Sequence, residues 1–144
     1  MNAIDPRLNR IRDCLYRLTA KAIIVHNGRL LMVHERAGYL GLPGGGIEHD
    51  DSLQDTIIRE LNEEIGITKD NIATISDVMR INFGSVENGI PRAHLYCTVL
   101  LKDYNKLQKR EVDYQWVEAD RLVRADISST LHSQIAFLRE QLEN

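Results

Sequence analysis

The chain has 144 residues, the usual length of a single domain and enough to bury a hydrophobic core without stabilising disulfides or metals. Hydrophobic residues make up 43% and charged residues 27%, a composition that excludes an intrinsically disordered chain. The 18 Lys and Arg residues against 21 Asp and Glu residues give a net charge of −3, which argues against a dedicated nucleic-acid-binding protein.

Cysteine spacing and apolar run length bear on the compartment. Cys14 and Cys97 stand far apart without metal-ligand spacing, so we expect two free thiols in a reducing environment. Residues 1–14 are charged and carry no signal-peptide pattern. Apolar runs such as residues 22–25 are far too short to span a membrane. We therefore expect a cytoplasmic protein with no membrane partner.

The start of the chain carries helix and hairpin signals. An Asp-Pro pair at residues 5–6 is typical of an N-cap followed by the first helical residue. It predicts an N-terminal helix over residues 6–17. We assign residues 1–18 to this N-terminal helical segment of the domain. Two strands follow, residues 20–25 and 30–34, because Asn-Gly between two apolar runs indicates a tight hairpin.

Residues 52–65 form the clearest predicted helix. Apolar side chains recur every four residues and make one stripe, as in an amphipathic helix. The stripe consists of Leu53, Ile57, Leu61 and Ile65. Ser52 is the predicted N-cap with Asp55 as its capping-box partner, and Gly66 supplies the C-terminal stop.

Three further strands and a closing helix complete the pattern. The strands are predicted over residues 76–83, 92–101 and 112–117, and the helix over residues 127–142. Strands outnumber helices, and the helix at residues 52–65 separates two groups of strands. This order predicts an α/β or α+β sandwich in which helices cover a mixed sheet.

Three carboxylates lie close together on the predicted helix. Glu60, Glu63 and Glu64 are spaced by three and four residues, so they share one narrow arc beside the apolar stripe. Like charges at this spacing, acids near a helix C-terminus and a desolvated carboxylate each destabilise the fold. A solvated acidic face is one interpretation. The other is a site for a hard divalent cation such as Mg²⁺, since broken local rules often mark function.

A glycine-rich stretch over residues 38–46 precedes this helix and is predicted to be a loop. Gly44, Gly45 and Gly46 allow the backbone to approach a ligand closely. The stretch lacks the Gly-Lys-Ser/Thr ending of a P-loop and the spacing of a dinucleotide fingerprint. A glycine loop followed by a helix of carboxylates indicates a site for a diphosphate and a metal ion.

Residues 45–67 together resemble the Nudix box, the signature of the Nudix hydrolases. The motif requires Gly, five residues, Glu, seven residues, then Arg-Glu-apolar-x-Glu-Glu-x-Gly-apolar. Residues 59–67 (RELNEEIGI) match its second half at the required spacing. The lead-in over residues 42–48 and the segment over residues 114–122 also resemble family members.

Two acids depart from the motif. Asp51 stands where Glu is expected, and Asp50 stands where Gly is usual. Because Asp is one methylene shorter than Glu, we expect a longer or water-bridged pairing of Asp51 with Arg59. Asp tolerates a positive φ better than most residues, so Asp50 is compatible with a left-handed backbone.

The resemblance implies a Nudix-like α/β/α sandwich with a mixed β-sheet, formed as a single domain over residues 1–144. It implies hydrolysis of a diphosphate linkage in a nucleoside diphosphate derivative by activated water. The substrate classes left open are nucleoside triphosphates, nucleotide sugars and dinucleoside polyphosphates. The implied cofactor is Mg²⁺, with Mn²⁺ as a substitute.

The resemblance also assigns the site residues. Glu60, Glu63 and Glu64 are the implied metal ligands, completed by the backbone carbonyl of Gly44 or Gly45. Arg59 belongs to the catalytic group as the residue that pairs with the first acid of the box and fixes the corner between loop and helix. Three residues remain candidates for the general base: Glu60 itself, or a glutamate from a later loop, Glu87 or Glu111.

Several side chains outside the box have two interpretations each. The aromatic residues provide either a stacking surface for a base or core packing, and they are Tyr39, Phe83, Tyr96 and Trp116. His94 either faces the cleft or is a hydrogen-bonded structural residue. The basic run either contacts phosphates or an RNA 5′ end or is solvated, and it consists of Lys102, Lys106, Lys109 and Arg110.

Two other functions remain open beside small-molecule hydrolysis. The first is an RNA 5′-end pyrophosphohydrolase using the same chemistry, the one nucleic-acid partner that we retain. The second is a non-catalytic module that binds nucleotides without turnover. The expected partner is a nucleotide-type small molecule, and a homodimer is left open because dimers are common in the family.

Overall fold

The structure, a computed structural model, describes residues 3–36 and 38–143. The strands are β1 (Arg17–Ile23), β2 (Val25–His26), β3 (Arg29–His34), β4 (Leu40–Gly41), β5 (Gly44–Gly46), β6 (Ile72–Ile75), β7 (Arg80–Glu87), β8 (Ile90–Leu101) and β9 (Tyr114–Val117). The α-helices are α1 (Leu53–Ile65) and α2 (Ile135–Glu143). Short 3₁₀ segments are Pro6–Arg10, Lys69–Asn71, Ala119–Arg121 and Ser129–Gln134.

Parallel and antiparallel pairings occur together in the sheets. In the larger sheet the strands follow the order β5-β1-β8-β6, and β7 also pairs with β8. The β1–β8 pairing is parallel, whereas β5, β6 and β7 pair antiparallel with their neighbours. The smaller sheet has the order β2-β3-β4, with β9 on β3. The mixed sheet expected from the sequence is thereby confirmed.

The helices cover opposite faces of this sheet. On one face, the fully buried Ile57, Leu61 and Ile65 of α1 pack against Ala22 of β1 and Cys97 of β8. On the other face, Leu138 of α2 belongs to a second buried cluster with Ile23 and Tyr96. The layers are therefore helix, sheet and helix, which confirms the α/β/α architecture and the Nudix-like fold.

The ends of α1 are stabilised by specific contacts. The predicted capping box is present: the Asp55 N–H donates to Ser52 Oγ at 3.0 Å, and Gly66 ends the helix at φ 70°. A feature not predicted is the loop before β9, whose Gln108 N–H donates to Ile65 O at 2.8 Å. Arg110 Nη1 bonds Asn62 Oδ1 at 3.0 Å, which places a cation at the C-terminal end of the acidic helix.

The predicted N-terminal helix over residues 6–17 is wrong beyond its first turns. Only Pro6–Arg10 is helical, as a 3₁₀ segment capped by Asp5, and β1 begins at Arg17. Ile11 and Leu15 remain 45% and 43% exposed, so a helix here would bury no apolar face. A short helix without such packing is marginal in water.

Three other boundaries differ from the predictions. The glycine stretch contains β4, which pairs with β3, and β5, whose glycine backbone pairs with β1 without needing side chains, rather than only loop. The strand predicted over residues 76–83 is displaced, with β6 ending before it and β7 starting within it. The helix predicted over residues 127–142 opens with the 3₁₀ segment Ser129–Gln134. No helix in the described residues is long and apolar enough to cross a membrane.

The capping box gives a stability prediction. Ser52→Ala removes the oxygen that accepts the Asp55 N–H, so we expect the free energy of unfolding to fall by about 1 kcal/mol. Urea denaturation measures this change. Ser129→Ala is the matched control, since Ser129 is exposed and caps no helix. Equal losses in both variants would contradict the assignment of the cap.

Candidate active site

The glycine strand β5 brings α1 and β1 together. Gly44 has φ 139°, and a Cβ on it would overlap Ala20 O and lie 2.9 Å from Lys21 Cα. A Cβ on Gly45 would overlap the Glu60 carboxylate. Gly44 therefore requires glycine, because its Cβ would meet backbone, whereas a side chain at position 45 would displace the Glu60 carboxylate.

Two of the three predicted ligand carboxylates lie against this strand. Glu64 Oε1 accepts the Gly44 N–H at 2.7 Å. Burial raises the pKa of the Glu64 carboxyl to about 7, although the Gly44 hydrogen bond and the Lys21 charge oppose the rise. Burial, followed by repulsion from Glu63, also raises the pKa of Glu60. Burial therefore disfavours the charged form of both carboxyls, a cost that a bound cation would offset.

These residues suit a hard divalent cation by their chemistry, because carboxylate and carbonyl oxygens are its preferred ligands. Glu63 is exposed on the same helical arc as Glu60 and Glu64. Within residues 3–36 and 38–143, however, no three acidic, His or Cys side chains converge as a ready-made metal cluster. Holding one ion with all three carboxylates therefore requires side-chain rotation.

Arg59 joins the start of α1 to the glycine strand. Its Nη1 contacts Asp51 Oδ2 directly, and its Nη2 donates to Gly46 O at 3.2 Å. The hydrogen bond with Asp51 raises the pKa of Arg59. The expectation of a longer or water-bridged pairing is thus wrong. Asp50 adopts φ 70°, the left-handed conformation with which Asp is compatible.

Two cavities meet beside these carboxylates. The first, which we call the slot, has a volume of about 280 Å³ and is lined by residues that include Thr19, Glu87, His94, Ser128 and Thr130. The second, which we call the acidic cavity, has a volume of about 580 Å³, and its lining includes Glu64 and Glu111. Both cavities are also lined by Lys21, Glu35 and Leu42.

Lys21 and Glu35 were missed by the sequence analysis. Lys21 interrupts the apolar residues of β1, and a charged residue inside a buried strand was the available signal. Glu35 follows β3 in an exposed loop and had no signal, because its position depends on the fold of β4.

The two candidate glutamates from later loops lie in different places. Glu87 lies in the slot, where its Oε2 is 3.0 Å from Arg92 Nε. Glu111 lies in the acidic cavity with Glu64, and its charge contributes to the raised pKa values of Glu60 and Glu64. The fold therefore brings Glu111, and not Glu87, close to the carboxylates of α1.

His94 fits both of its interpretations. It lines the slot, and its ring is hydrogen-bonded through Nδ1 to Thr19 Oγ1 at 2.6 Å and through Nε2 to Ser85 Oγ at 2.9 Å. Burial lowers the pKa of His94 to about 4, so the ring is neutral at physiological pH. Its two nitrogens are fully used within the protein.

Comparison with known proteins supports this architecture. A family model described as NUDIX domain matches residues 15–137, most of the chain. The chain therefore belongs to the Nudix hydrolase family, whose members act on nucleoside diphosphate derivatives. Comparison with curated protein sequences gave no significant match.

Solved structures share the fold at low sequence identity. A MutT protein from Methanosarcina mazei is 19% identical, with coverage of 92% of this chain and 99% of that chain and a TM-score of 0.71. An Ap4A hydrolase from C. elegans is 20% identical, with coverage of 88% and 98% and a TM-score of 0.70. The dihydroneopterin triphosphate pyrophosphohydrolase of E. coli is 17% identical, with coverage of 88% and 96% and a TM-score of 0.68. These similarities concern the fold alone.

Buried His94 predicts a pH dependence of stability. Its folded pKa of about 4 lies below the ordinary value of 6.5, so the unfolded chain binds a proton first as the pH falls. The stabilising contribution is complete above pH 6.5 and is lost between pH 6.5 and 4, at up to about 1.4 kcal/mol per pH unit. We expect a shallower dependence in His94→Gln, measured by urea denaturation across this range.

The slope is the readout because His94→Gln also lowers stability at every pH by disturbing the hydrogen bonds to Thr19 and Ser85. Glu64, whose folded pKa is raised, contributes with the opposite sign in both proteins and cancels in the difference. Parallel slopes in the two proteins would show that His94 is not buried as a neutral ring.

Proposed function

We propose that this protein hydrolyses a diphosphate linkage in a nucleoside triphosphate, nucleotide sugar or dinucleoside polyphosphate, with Mg²⁺ as cofactor and Mn²⁺ as a substitute. The observation that carries the proposal is the placement of the Glu60 and Glu64 carboxylates against the glycine strand. Lys21 lies beside them and lines both cavities, so an anionic diphosphate there meets a positive charge.

The ion would be held by Glu60, Glu63 and Glu64, completed by the carbonyl of Gly44 or Gly45. When bound, the cation neutralises the diphosphate charge and polarises its phosphorus–oxygen bonds. Arg59 is a positioning residue in this scheme. By contacting Asp51 and Gly46 O, it keeps the start of α1 against the glycine strand and so keeps Glu60 in place.

Glu111 is the favoured general base, because it shares the acidic cavity with Glu64 and the Lys21 side chain. In the proposed step its carboxylate takes a proton from the attacking water. The water oxygen forms a bond to one phosphorus, the bridging phosphorus–oxygen bond breaks, and the bridging oxygen leaves with the other phosphate. Glu87 is disfavoured because it pairs with Arg92 in the slot.

Separate substitution of the two glutamates by glutamine tests the assignment of Glu111 as the general base. Glu111→Gln removes the proton acceptor, so we expect kcat to fall about 10²- to 10⁴-fold with a similar KM. Glu87→Gln leaves the acceptor in place, and we expect its effect mainly on KM. Glu140→Gln, at an exposed position of α2, is the control. A large kcat loss in Glu87→Gln with none in Glu111→Gln would contradict the assignment.

Binding of Mg²⁺ can be measured without substrate turnover, through its effect on thermal stability. We expect Mg²⁺ to raise the thermal unfolding midpoint of the protein, because a ligand that binds only the folded state stabilises it by about 2.7 kcal/mol at 100 times its Kd. Glu60→Gln and Glu63→Gln should lose this shift together with activity, and Glu140→Gln should retain both. A Mg²⁺ shift that survives in both site variants would place the ion elsewhere.

A product-release screen with Mg²⁺ or Mn²⁺ identifies the substrate. The panel contains canonical and oxidised nucleoside triphosphates, nucleotide sugars, dinucleoside polyphosphates and 5′-triphosphate RNA, with Glu63→Gln as the inactive control. Two of the four basic candidates for contact with an RNA end are engaged within the protein, Lys109 with Asp113 and Arg110 with Asn62. Nucleotide binding without turnover would favour a binding module instead.

A further inference from the structure

Hydroxyl groups line the slot from two sides. Thr19 belongs to β1, whereas Ser128 and Thr130 belong to the segment that leads into α2. The hydroxyl oxygens of Ser128 and Thr130 are 3.2 Å apart. Each hydroxyl both donates and accepts, so the slot offers hydrogen bonds of both kinds to a ligand.

The slot offers no exposed ring on which a base stacks. Of the aromatic candidates from the sequence, Tyr39, Phe83 and Trp116 do not line the slot in the described part of the chain. Tyr96 does line it, but this residue is fully buried and its hydroxyl accepts the Asn82 side-chain N–H at 3.0 Å. Stacking on exposed aromatic faces is the common way in which proteins hold a base without reading its edges.

His94 fixes one slot hydroxyl in place. With both ring nitrogens bonded to Thr19 and Ser85, the ring has no further capacity for a ligand. Thr19 has more capacity than this single bond uses, because a hydroxyl carries one hydrogen and two lone pairs. Thr19 therefore presents a held, hydrogen-bonding oxygen to the slot whichever nitrogen of His94 is protonated.

Glu35 is a carboxylate without a partner at the mouth of the slot. Its side chain makes no hydrogen bond or ion pair within residues 3–36 and 38–143. It lies against Gly41, on which a Cβ would overlap Oε1 and stand 2.8 Å from Cδ. The bare backbone of Gly41 thus makes room for a carboxylate that lines both cavities and is free to accept hydrogen bonds.

We propose that the slot binds the sugar of a nucleotide sugar through its hydroxyl groups, with Glu35 accepting hydrogen bonds from two neighbouring hydroxyls. This inference rests on the proposed function and selects one of its substrate classes. A sugar ring supplies several donors and no aromatic face, which matches the three hydroxyls and the unpaired Glu35 carboxylate of the slot. The other charged side chains of the lining are Lys21 and the Glu87–Arg92 pair. Hydrolysis of the diphosphate linkage by water then gives a nucleoside monophosphate and a sugar phosphate.

Substrate preference of the wild-type protein is the first arm of the test. We would measure kcat/KM with Mg²⁺ for UDP-glucose and ADP-ribose, and compare them with ATP and diadenosine tetraphosphate. We expect a preference of at least about tenfold for the nucleotide sugars, because the slot would take the group beyond the diphosphate. In ATP that group carries no hydroxyl donors, and in diadenosine tetraphosphate it carries a base that finds no exposed ring in the slot. A preference for ATP or diadenosine tetraphosphate would overturn the proposal.

Glu35→Gln is the second arm, with Glu140→Gln as the matched control. We expect Glu35→Gln to raise KM for UDP-glucose roughly tenfold, to leave kcat for UDP-glucose within about twofold and to change KM for ATP clearly less. It should also reduce the discrimination between UDP-glucose and UDP-2-deoxyglucose. Equal effects on UDP-glucose and ATP, or no effect on either, would overturn the role of Glu35. Circular dichroism verifies that each variant is folded.

Calorimetric binding of UDP-glucose separates this inference from the proposed function. If no compound is hydrolysed but UDP-glucose binds with an affinity that Glu35→Gln weakens, the hydrolase proposal fails and the slot assignment stands. If UDP-glucose is hydrolysed without dependence on Glu35, the slot assignment fails and the hydrolase stands. Absence of both binding and hydrolysis of UDP-glucose would overturn the slot assignment.

Discussion

The absence of side chains on the glycine strand is the constraint on which the site depends. Gly44 lies so close to β1 that any Cβ would overlap the Ala20 carbonyl, and Gly45 lies directly under the Glu60 carboxylate. The same bare backbone exposes the Gly44 N–H, which holds Glu64. The Glu60 and Glu64 carboxylates are thereby partly buried, and this burial raises the pKa of each. Burial of these two carboxylates costs folding stability, which indicates that the arrangement serves function.

The destabilisation of the acidic helix is offset at both of its ends. At the N-terminus, the capping box satisfies backbone N–H groups, and Arg59 ties Asp51 to the glycine strand. At the C-terminus, Arg110 supplies a positive charge near the Asn62 side chain, which opposes the unfavourable position of the acids relative to the helix dipole. Stabilising contacts thus lie at both ends of the helix that carries the acids.

Local patterns in the sequence predicted α1, its caps and its acids, because all of these depend on spacing within one helix. The slot was not predictable, since Thr19, His94 and Thr130 meet only through strand pairing and the return of the chain toward α2. The prediction of an N-terminal helix over residues 6–17 was wrong. An Asp-Pro pair indicates where a helix starts but not whether its apolar face will be buried. The assigned roles of the ligand residues and the general base stay predictions.

The register of the parallel β1–β8 pair places residues of the slot and residues under α1 on opposite faces of the sheet. Thr19 lies opposite His94 on the face that forms the slot, whereas Ala22 lies opposite Cys97 on the face beneath α1. Because side chains alternate between faces, substitutions of Thr19 or His94 change the slot and leave the packing under α1 untouched. Other residues of the same face, Ile23 and Tyr96, belong to the core beneath α2. A shift of one residue in this register would exchange the two faces. The ligand surface can therefore change by substitution at the slot positions, whereas an insertion or deletion within β1 or β8 would disrupt both faces at once.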